Sequence, residues 1–374
     1  MTLFRFVRLL ASLLLLLVGA PSAVAAQPAP VWLQTVRDTP LWSGAADPAE
    51  RFTTLPSGAY ALLQISGASG RSLVYYPGDG DSRQPGTAWI STRDVQPSGP
   101  PAWLASSELD GSASALPSPP DAPHRAAFVV PPRVTAPEIA VVDDTTGLLL
   151  YGQAAHARES PASTTKILTA LLALERAPSL DATVPITVDG WAMAAADGSS
   201  VMGLVPGRRL TLRTLLYGLL LPSGNDAAEQ LARSLDESPT DFVTAMNDRL
   251  AELGLRDTHF ANPSGLDADG HFSSAYDLAQ LARVAMRDPT FSAIVATEQY
   301  AAEGYELRGH NPLIGAYSGA DGVKTGTSDQ AGRVIVASAT RGGHRVYVVL
   351  MHSEDLAGDS AALFDWAWSS FAWD

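Results

Sequence analysis

The chain has 374 residues, 46% hydrophobic and 17% charged, which is room for two domains of roughly 100–200 residues each and too apolar for a mainly disordered chain. Its 39 acidic against 25 basic residues leave a formal charge of -14, a field that repels a phosphate backbone and argues against nucleic acid as a partner. Zero cysteines exclude disulfides, thiolate nucleophiles, Cys-ligated metal and a lipid-modified N-terminal cysteine. Among the basic residues only two are lysines, Lys166 and Lys324. A lysine can lose its proton when desolvated, whereas a guanidinium keeps it, so the neighbours of these two decide whether they do chemistry.

Residues 1–26 carry Arg5 and Arg8, an apolar run from Leu9 to Val18 and small residues through Ala25 and Ala26, the order of a cleavable export signal. The apolar run is short for a span of about 20 residues, so an exported protein working outside the cytoplasmic membrane, in periplasm or cell wall, is expected over an anchored one. Residues 31–95 alternate short apolar runs with turn signals such as Leu55-Pro56-Ser57-Gly58 and Pro77-Gly78-Asp79-Gly80, the pattern of a small all-β module. Residues 96–133 are rich in Pro, Ser and Ala and read as an extended linker.

From Thr135 the pattern changes to that of an α+β domain running over 135–374. A hairpin is expected at 139–151, and helices at 161–175, 211–221, 227–235, 240–253 and 274–286. Three antiparallel strands follow at 323–325, 333–339 and 344–352, then a closing helix at 360–371. Strands first and last with helices between them predict a sheet assembled from both ends of the segment.

Three short motifs carry candidate chemistry. In Ser160-Pro161-Ala162-Ser163-Thr164-Thr165-Lys166, Ser160 reads as an N-cap with Ser163 in the first turn, and Lys166 three residues on shares its face. A hydroxyl is a weak nucleophile unless a base takes its proton, and a desolvated lysine can be that base; the same text also fits a capped helix with a solvated lysine. In Pro222-Ser223-Gly224-Asn225-Asp226, Ser223 could relay a proton and Asn225 bind a substrate amide, or either could simply cap the next helix. In Asp321-Gly322-Val323-Lys324-Thr325-Gly326-Thr327, a strand with Lys324, Thr325 and Thr327 around the bare Gly326 suits close approach by an extended peptide. Its lysine would hold a carboxylate and lower the proton affinity of Lys166 by repulsion.

The order S-x-x-K, S-x-N, K-T-G resembles that of serine penicillin-binding proteins and class A β-lactamases. With 260–266, 273–279 and 321–332 added, the text from about 136 to 372 resembles the low-molecular-mass penicillin-binding proteins that are D-alanyl-D-alanine carboxypeptidases. The resemblance implies an antiparallel sheet packed by helices beside a helical subdomain. It implies catalytic Ser163, Lys166 and Ser223, with Asn225, Lys324, Thr325, Gly326 and Thr327 binding substrate. It further implies peptidoglycan stem peptides as substrate and β-lactams as covalent inhibitors; the seven histidines lack H-E-x-x-H spacing, so no metal is expected, nor a cofactor. Residues 31–95 faintly resemble bacterial Src-homology-3-like modules, which implies wall binding. A class A-like β-lactamase is the alternative, but the region 257–263 lacks the deacylating glutamate; a non-catalytic wall-binding protein is the other. Many relatives carry an arginine where Asp359 stands, with Arg341 and Arg345 as weak substitutes.

Overall fold

A computed structural model describes residues 32–42, 51–55, 60–66, 71–76, 86–91, 93–98, 123–125, 131–236 and 238–373. The expected export signal at 1–26 and most of the expected linker lie outside the described residues. Among the described residues no helix is long and apolar enough to cross a membrane.

Strands β1 (Trp32–Thr35), β2 (Thr39–Trp42), β3 (Arg51–Leu55), β4 (Tyr60–Ser66), β5 (Arg71–Tyr76), β6 (Gly86–Ser91) and β7 (Val95–Ser98) form one antiparallel sheet in the order β3-β2-β6-β5-β4-β1-β7. Leu33, Leu41, Leu55, Val74, Ala88 and Ile90 meet in its core. The strands continue to Ser98, three positions past the expected boundary. Inside the stretch read as an extended linker, β8 (His124–Arg125) pairs antiparallel with a short strand at the far end of the chain, Phe371–Ala372.

The second sheet gathers β9 (Glu138–Asp143) and β10 (Leu149–Gln153) with three strands from the other end of the segment. Between them lie the helices α1 (Lys166–Arg176), α2 (Gly190–Asp197), α3 (Leu212–Leu220), α4 (Asn225–Leu235), α5 (Pro239–Glu252), α6 (Ala275–Ala285) and α7 (Pro289–Val295). Two small hairpins also lie there, β11 (Thr183–Pro185) with β12 (Arg209–Thr211), and β13 (Gln299–Ala302) with β14 (Tyr305–Arg308). Then follow β15 (Ala320–Ser328), β16 (Gly332–Arg341), β17 (His344–Met351), the closing helix α8 (Leu356–Ser370) and β18 (Phe371–Ala372).

The sheet order is β10-β9-β17-β16-β15, antiparallel throughout. Because side chains alternate along a strand, Ile139, Val141, Ile335, Ala337 and Leu350 face α8 and its Leu363, Phe364 and Trp366. Ala140, Val142, Val334, Val336 and Val349 face the other way, into a larger core with the helical part. That core includes Ile167, Leu168 and Leu171 of α1, so the sheet and the helical region share α1 as a common wall.

Helix boundaries follow their caps. Thr211, Ser238 and Ser274 each accept the N–H three residues ahead, and Asp288 accepts two N–H groups before Pro289 at N1. The closing helix starts at Leu356 rather than 360, because Asp355 caps it through Gly358 N. The sequence reading missed α2 and α7, which are too short for a clear period.

Asp359 sits in the first turn of α8 and is buried. Its Oδ2 accepts Thr135 N at 3.1 Å, Thr135 Oγ1 at 2.5 Å and Ser353 Oγ at 2.8 Å, so it fastens the entry to β9 onto the exit from β17. Arg341 is held by Tyr317 Oη, and Arg345 by Asp321; neither is a free substitute for an arginine at 359. Replacing Asp359 with Ala strands three donors and should lower unfolding free energy by roughly 2–4 kcal/mol in urea titration. A stability within about 0.5 kcal/mol of the parent would rule out this fastening role.

Candidate active site

Ser163 lies in a 3₁₀ turn, Ala162–Thr165, that runs directly into α1 at Lys166. A 3₁₀ turn has three residues per turn, so positions i and i+3 eclipse. Lys166 Nζ accordingly stands 2.8 Å from Ser163 Oγ. The expected N-cap role of Ser160 is not what the structure shows. Its Oγ donates to Asp267 Oδ1 at 2.8 Å, and the turn starts without a side-chain cap. Thr164 and Thr165 instead turn their hydroxyls back onto Pro161 O at 2.7 Å and Ala162 O at 2.9 Å.

Lys166 is fully buried. Besides Ser163 it reaches Asn225 Oδ1 at 2.6 Å and Ser264 O at 2.5 Å. Burial holds its ammonium well below the ordinary lysine range, the positive charge of Lys324 pushes the same way, and Asp226 opposes both.

In the second motif α3 ends at Leu220 and α4 opens at Asn225. Neither Ser223 nor Asn225 caps α4, whose N-cap is Gly224 with no side-chain bond. Asn225 instead places its Oδ1 on Lys166 and its Nδ2 on Ser199 Oγ at 3.0 Å. Ser223 has a positive φ of 64° and a buried hydroxyl with no hydrogen-bond partner among the described residues. A non-glycine residue held there costs on the order of 1–3 kcal/mol and persists only where its surroundings enforce it. Asp226, to which the sequence reading gave no role, is fully buried. It accepts the N–H groups of Met202, Gly203 and Leu204, each at 2.9 Å, and so ties the loop after α2 to the start of α4.

The third motif is β15, the edge of its sheet, paired only with β16. Among the described residues no strand pairs with its other edge. Lys324 is buried, donates to Thr325 O at 2.7 Å and is lowered by burial to about 7. Thr325 is half-buried and Thr327 exposed. A Cβ on Gly326 would stand 2.9 Å from Ser163 N and 3.1 Å from Pro161 O, so only glycine lets this strand lie against the turn that carries Ser163. Lys324 and Thr325 also line a cavity of about 150 Å³ with Leu220, Arg308, His310 and Asn311.

A loop between α5 and α6 closes the remaining side. Asn262 Oδ1 gathers the N–H groups of Ser264, Gly265 and Leu266, which turns Ser264 O toward Lys166. Gly265 has φ +85°, and a Cβ there would overlap the carbonyl of Ala162. Asp267 joins this loop to both motifs, accepting from Ser160 Oγ, from Ser328 Oγ at 2.7 Å and from Gln330 N at 3.1 Å. Partial burial pushes its carboxyl up, but these donors win and hold it below the usual carboxylate range. In the region 257–263 the acidic side chain, Asp257, is turned to His156 and Arg158.

A buried lysine touching a serine three residues earlier, beside S-x-N and an edge strand bearing K-T-G, is the arrangement of a serine acyl-transferring hydrolase. Residues 125–355 match the family model for D-alanyl-D-alanine carboxypeptidase, and the chain belongs to that family. It is 37% identical over 215 residues to the D-alanyl-D-alanine carboxypeptidase DacF of Bacillus subtilis, covering 56% of this chain and 55% of the relative. It is 36% identical over 245 residues to a D-alanyl-D-alanine carboxypeptidase of a Streptomyces species, covering 60% and 84%. The crystal structure of a Streptomyces DD-transpeptidase superposes with a TM-score of 0.62 at 33% identity, covering 64% of this chain and 100% of that one. The fold is that of the penicillin-binding proteins, and the likenesses favour a D,D-peptidase over a β-lactamase.

Gly265→Ala combines a left-handed backbone with a clash against Ala162 O, so the loop must withdraw from the serine turn. Stability should drop by about 2 kcal/mol or more in thermal or urea unfolding. An unchanged midpoint would show that the close approach is not required.

Proposed function

We propose that the chain is a serine-type carboxypeptidase that removes the terminal D-alanine from peptidoglycan stem peptides through an acyl-enzyme on Ser163. One observation carries this reading: the set of partners around Lys166 Nζ. Asn225 Oδ1 and Ser264 O can only accept, so they take two N–H hydrogens of Nζ; toward Ser163 Oγ an ammonium donates its third hydrogen, whereas a neutral amine can take the hydroxyl hydrogen on its lone pair. A neutral amine with two hydrogens and one lone pair satisfies all three. Burial and Lys324 favour that neutral form.

In the reaction the Ser163 hydroxyl gives its proton to Nζ as Oγ attacks the carbonyl between the two D-alanines. The developing oxyanion lies on the backbone N–H groups of Ser163 and Thr327, each donor worth about 3–4 kcal/mol in comparable sites. Lys324 and Thr325 hold the terminal carboxylate. Asn225 orients the acyl-side amide, exchanging Ser199 for substrate. The Ser223 hydroxyl passes its proton to the leaving amine and is reprotonated from Nζ, so D-alanine departs and the lysine is neutral again. Water, deprotonated at the same lysine, then releases the shortened peptide. A β-lactam enters by the same first step and leaves slowly, because Asp257 is engaged elsewhere and Asp267 is held as a poor base.

Further parts of the reading concern the rest of the chain. Residues 1–26 would direct export to the periplasm or wall, and 31–95 would fold as a module, tethered by 96–133, that adds wall affinity. Co-sedimentation of the full chain with purified peptidoglycan, compared with a chain lacking 31–98, tests the module; equal sedimentation would dismiss it.

Intact-mass measurement after penicillin should show one lasting adduct, absent from Ser163→Ala. Rapid penicillin hydrolysis without an adduct would instead favour a β-lactamase. Lys166→Arg should lose nearly all turnover on a D-Ala-D-Ala peptide, since a guanidinium keeps its proton; parental turnover would remove Lys166 as the base.

The pH dependence has a definite sign. Acylation needs neutral Lys166 and fails as pH falls through its lowered pKa. Lys324→Met removes a repulsion, raises that pKa and should move the acid limb of penicillin acylation to higher pH. An unmoved or oppositely moved limb would show that the two lysines are not coupled in this way.

A further inference from the structure

His271 lies at the start of the strand-like segment before α6 and is 5% exposed, its ring stacked on Phe260 with centroids 5.2 Å apart. A buried histidine is most simply a satisfied core residue, but the direction of its hydrogen bonds gives this one a further role. Ala261 N donates to Nδ1 at 2.9 Å. A backbone N–H only donates, so Nδ1 is bare and the ring hydrogen sits on Nε2. That hydrogen faces Thr165 Oγ1 at 2.9 Å. Thr165 has a single hydroxyl hydrogen, and it goes to Ala162 O at 2.9 Å. The chain therefore runs one way, from Ala261 N–H through imidazole and hydroxyl to the carbonyl of Ala162.

The carbonyl of Ala162 and the N–H of Ser163 are two ends of one planar peptide unit. In the mechanism above that N–H binds the oxyanion. A hydrogen bond accepted at the carbonyl end polarises the amide, makes its N–H a better donor and fixes the tilt of the plane. Fixing is needed, because Ala162 has φ +45°, a conformation that costs a non-glycine residue on the order of 1–3 kcal/mol. On the basis of the proposed mechanism, we infer that His271 is a positioning residue for the oxyanion-binding peptide of Ser163, acting through Thr165 on the carbonyl of Ala162.

The imidazole stays neutral over the working range. Burial lowers its pKa first, His259 and Lys166 push the same way and Asp267 opposes them, leaving it at about 4. The bare Nδ1 on which the one-way chain depends is thus kept.

Two amide substitutions separate the two ring nitrogens. The Asn oxygen reaches the place of Nδ1, keeping the acceptor for Ala261 and losing the donor to Thr165; the Gln nitrogen reaches the place of Nε2 and restores that donor. The experiment measures Ser163 acylation by penicillin by intact mass, kcat and KM on a D-Ala-D-Ala peptide, and thermal midpoints. The proteins are the full chain, His271→Asn, His271→Gln, Thr165→Val and the double variant His271→Asn/Thr165→Val. Expected are acylation and kcat about tenfold lower for His271→Asn and for Thr165→Val with KM unchanged, most of the rate recovered in His271→Gln, and no added loss in the double variant. Should His271→Asn fail to fold, Thr165→Val, nearly the same shape, carries the test alone. Equal rates for the Asn and Gln variants, a Thr165→Val rate at the parental level, or losses that multiply in the double variant would overturn the inference. A parent chain that forms no penicillin adduct would instead overturn the functional reading and this one with it.

Discussion

Burying one amine without a permanent counter-ion is the constraint around which the catalytic domain is arranged. Among the described residues Lys166 bonds to no carboxylate; its partners are a hydroxyl, an amide oxygen and a backbone carbonyl. An isolated ammonium in such surroundings is costly, and the less costly answer is to give up the proton. Each partner comes from a different segment: Ser163 from the 3₁₀ turn, Asn225 from the start of α4, Ser264 from the loop before α6. The three meet only if the sheet, the helical part and the loop are all in place. The basicity of the lysine is therefore set by the whole domain rather than by its immediate neighbours in sequence.

Three carboxylates, two of them buried, do the complementary work. Asp226 collects three N–H groups of the Met202–Leu204 loop, Asp267 joins the Ser160 and Ser328 sides of the cleft, and Asp359 joins the two ends of the domain. All three accept from hydroxyl and backbone N–H donors rather than from Lys166, which keeps the surrounding loops fixed. Of the three, only Asp359 was weighed in the sequence reading, and there as a gap in carboxylate binding; the structure makes it a fastener.

What could be read from sequence follows the range of the interactions. Ser163 and Lys166 are linked by one turn, and that spacing is visible in the text of the chain, as are the β9–β10 hairpin and the amphipathic helices α3 to α6. That the sheet draws on both ends of the segment was legible from the order of strands and helices; that β9 lies beside β17 was not. The 3₁₀ character of the Ser163 turn was not legible either: Ser160, which reads as a cap, is instead bonded to Asp267, 107 positions away. Nor could local pattern show that Ser264 contributes its carbonyl rather than its side chain, or that Gly265 and Gly326 are empty so that two other segments can approach the same turn. Those are long-range facts, and a residue's own neighbours carry no trace of them.

The pairing of β9 with β17 also has a consequence for how the molecule comes into being. Val141 lies opposite Val348, and Tyr347 Oη donates to Asp144 Oδ1 at 2.8 Å across 203 positions of chain. A sheet whose neighbours are so distant has high contact order, which slows its closure relative to the local helices. During synthesis α1 can form early, but β15, which must lie against Ser163, has no place to dock until β16 and β17 have been made. A partly synthesised chain thus carries Ser163 and Lys166 without the strand that completes the cleft, and the assembled site arrives late, with the closing of the sheet.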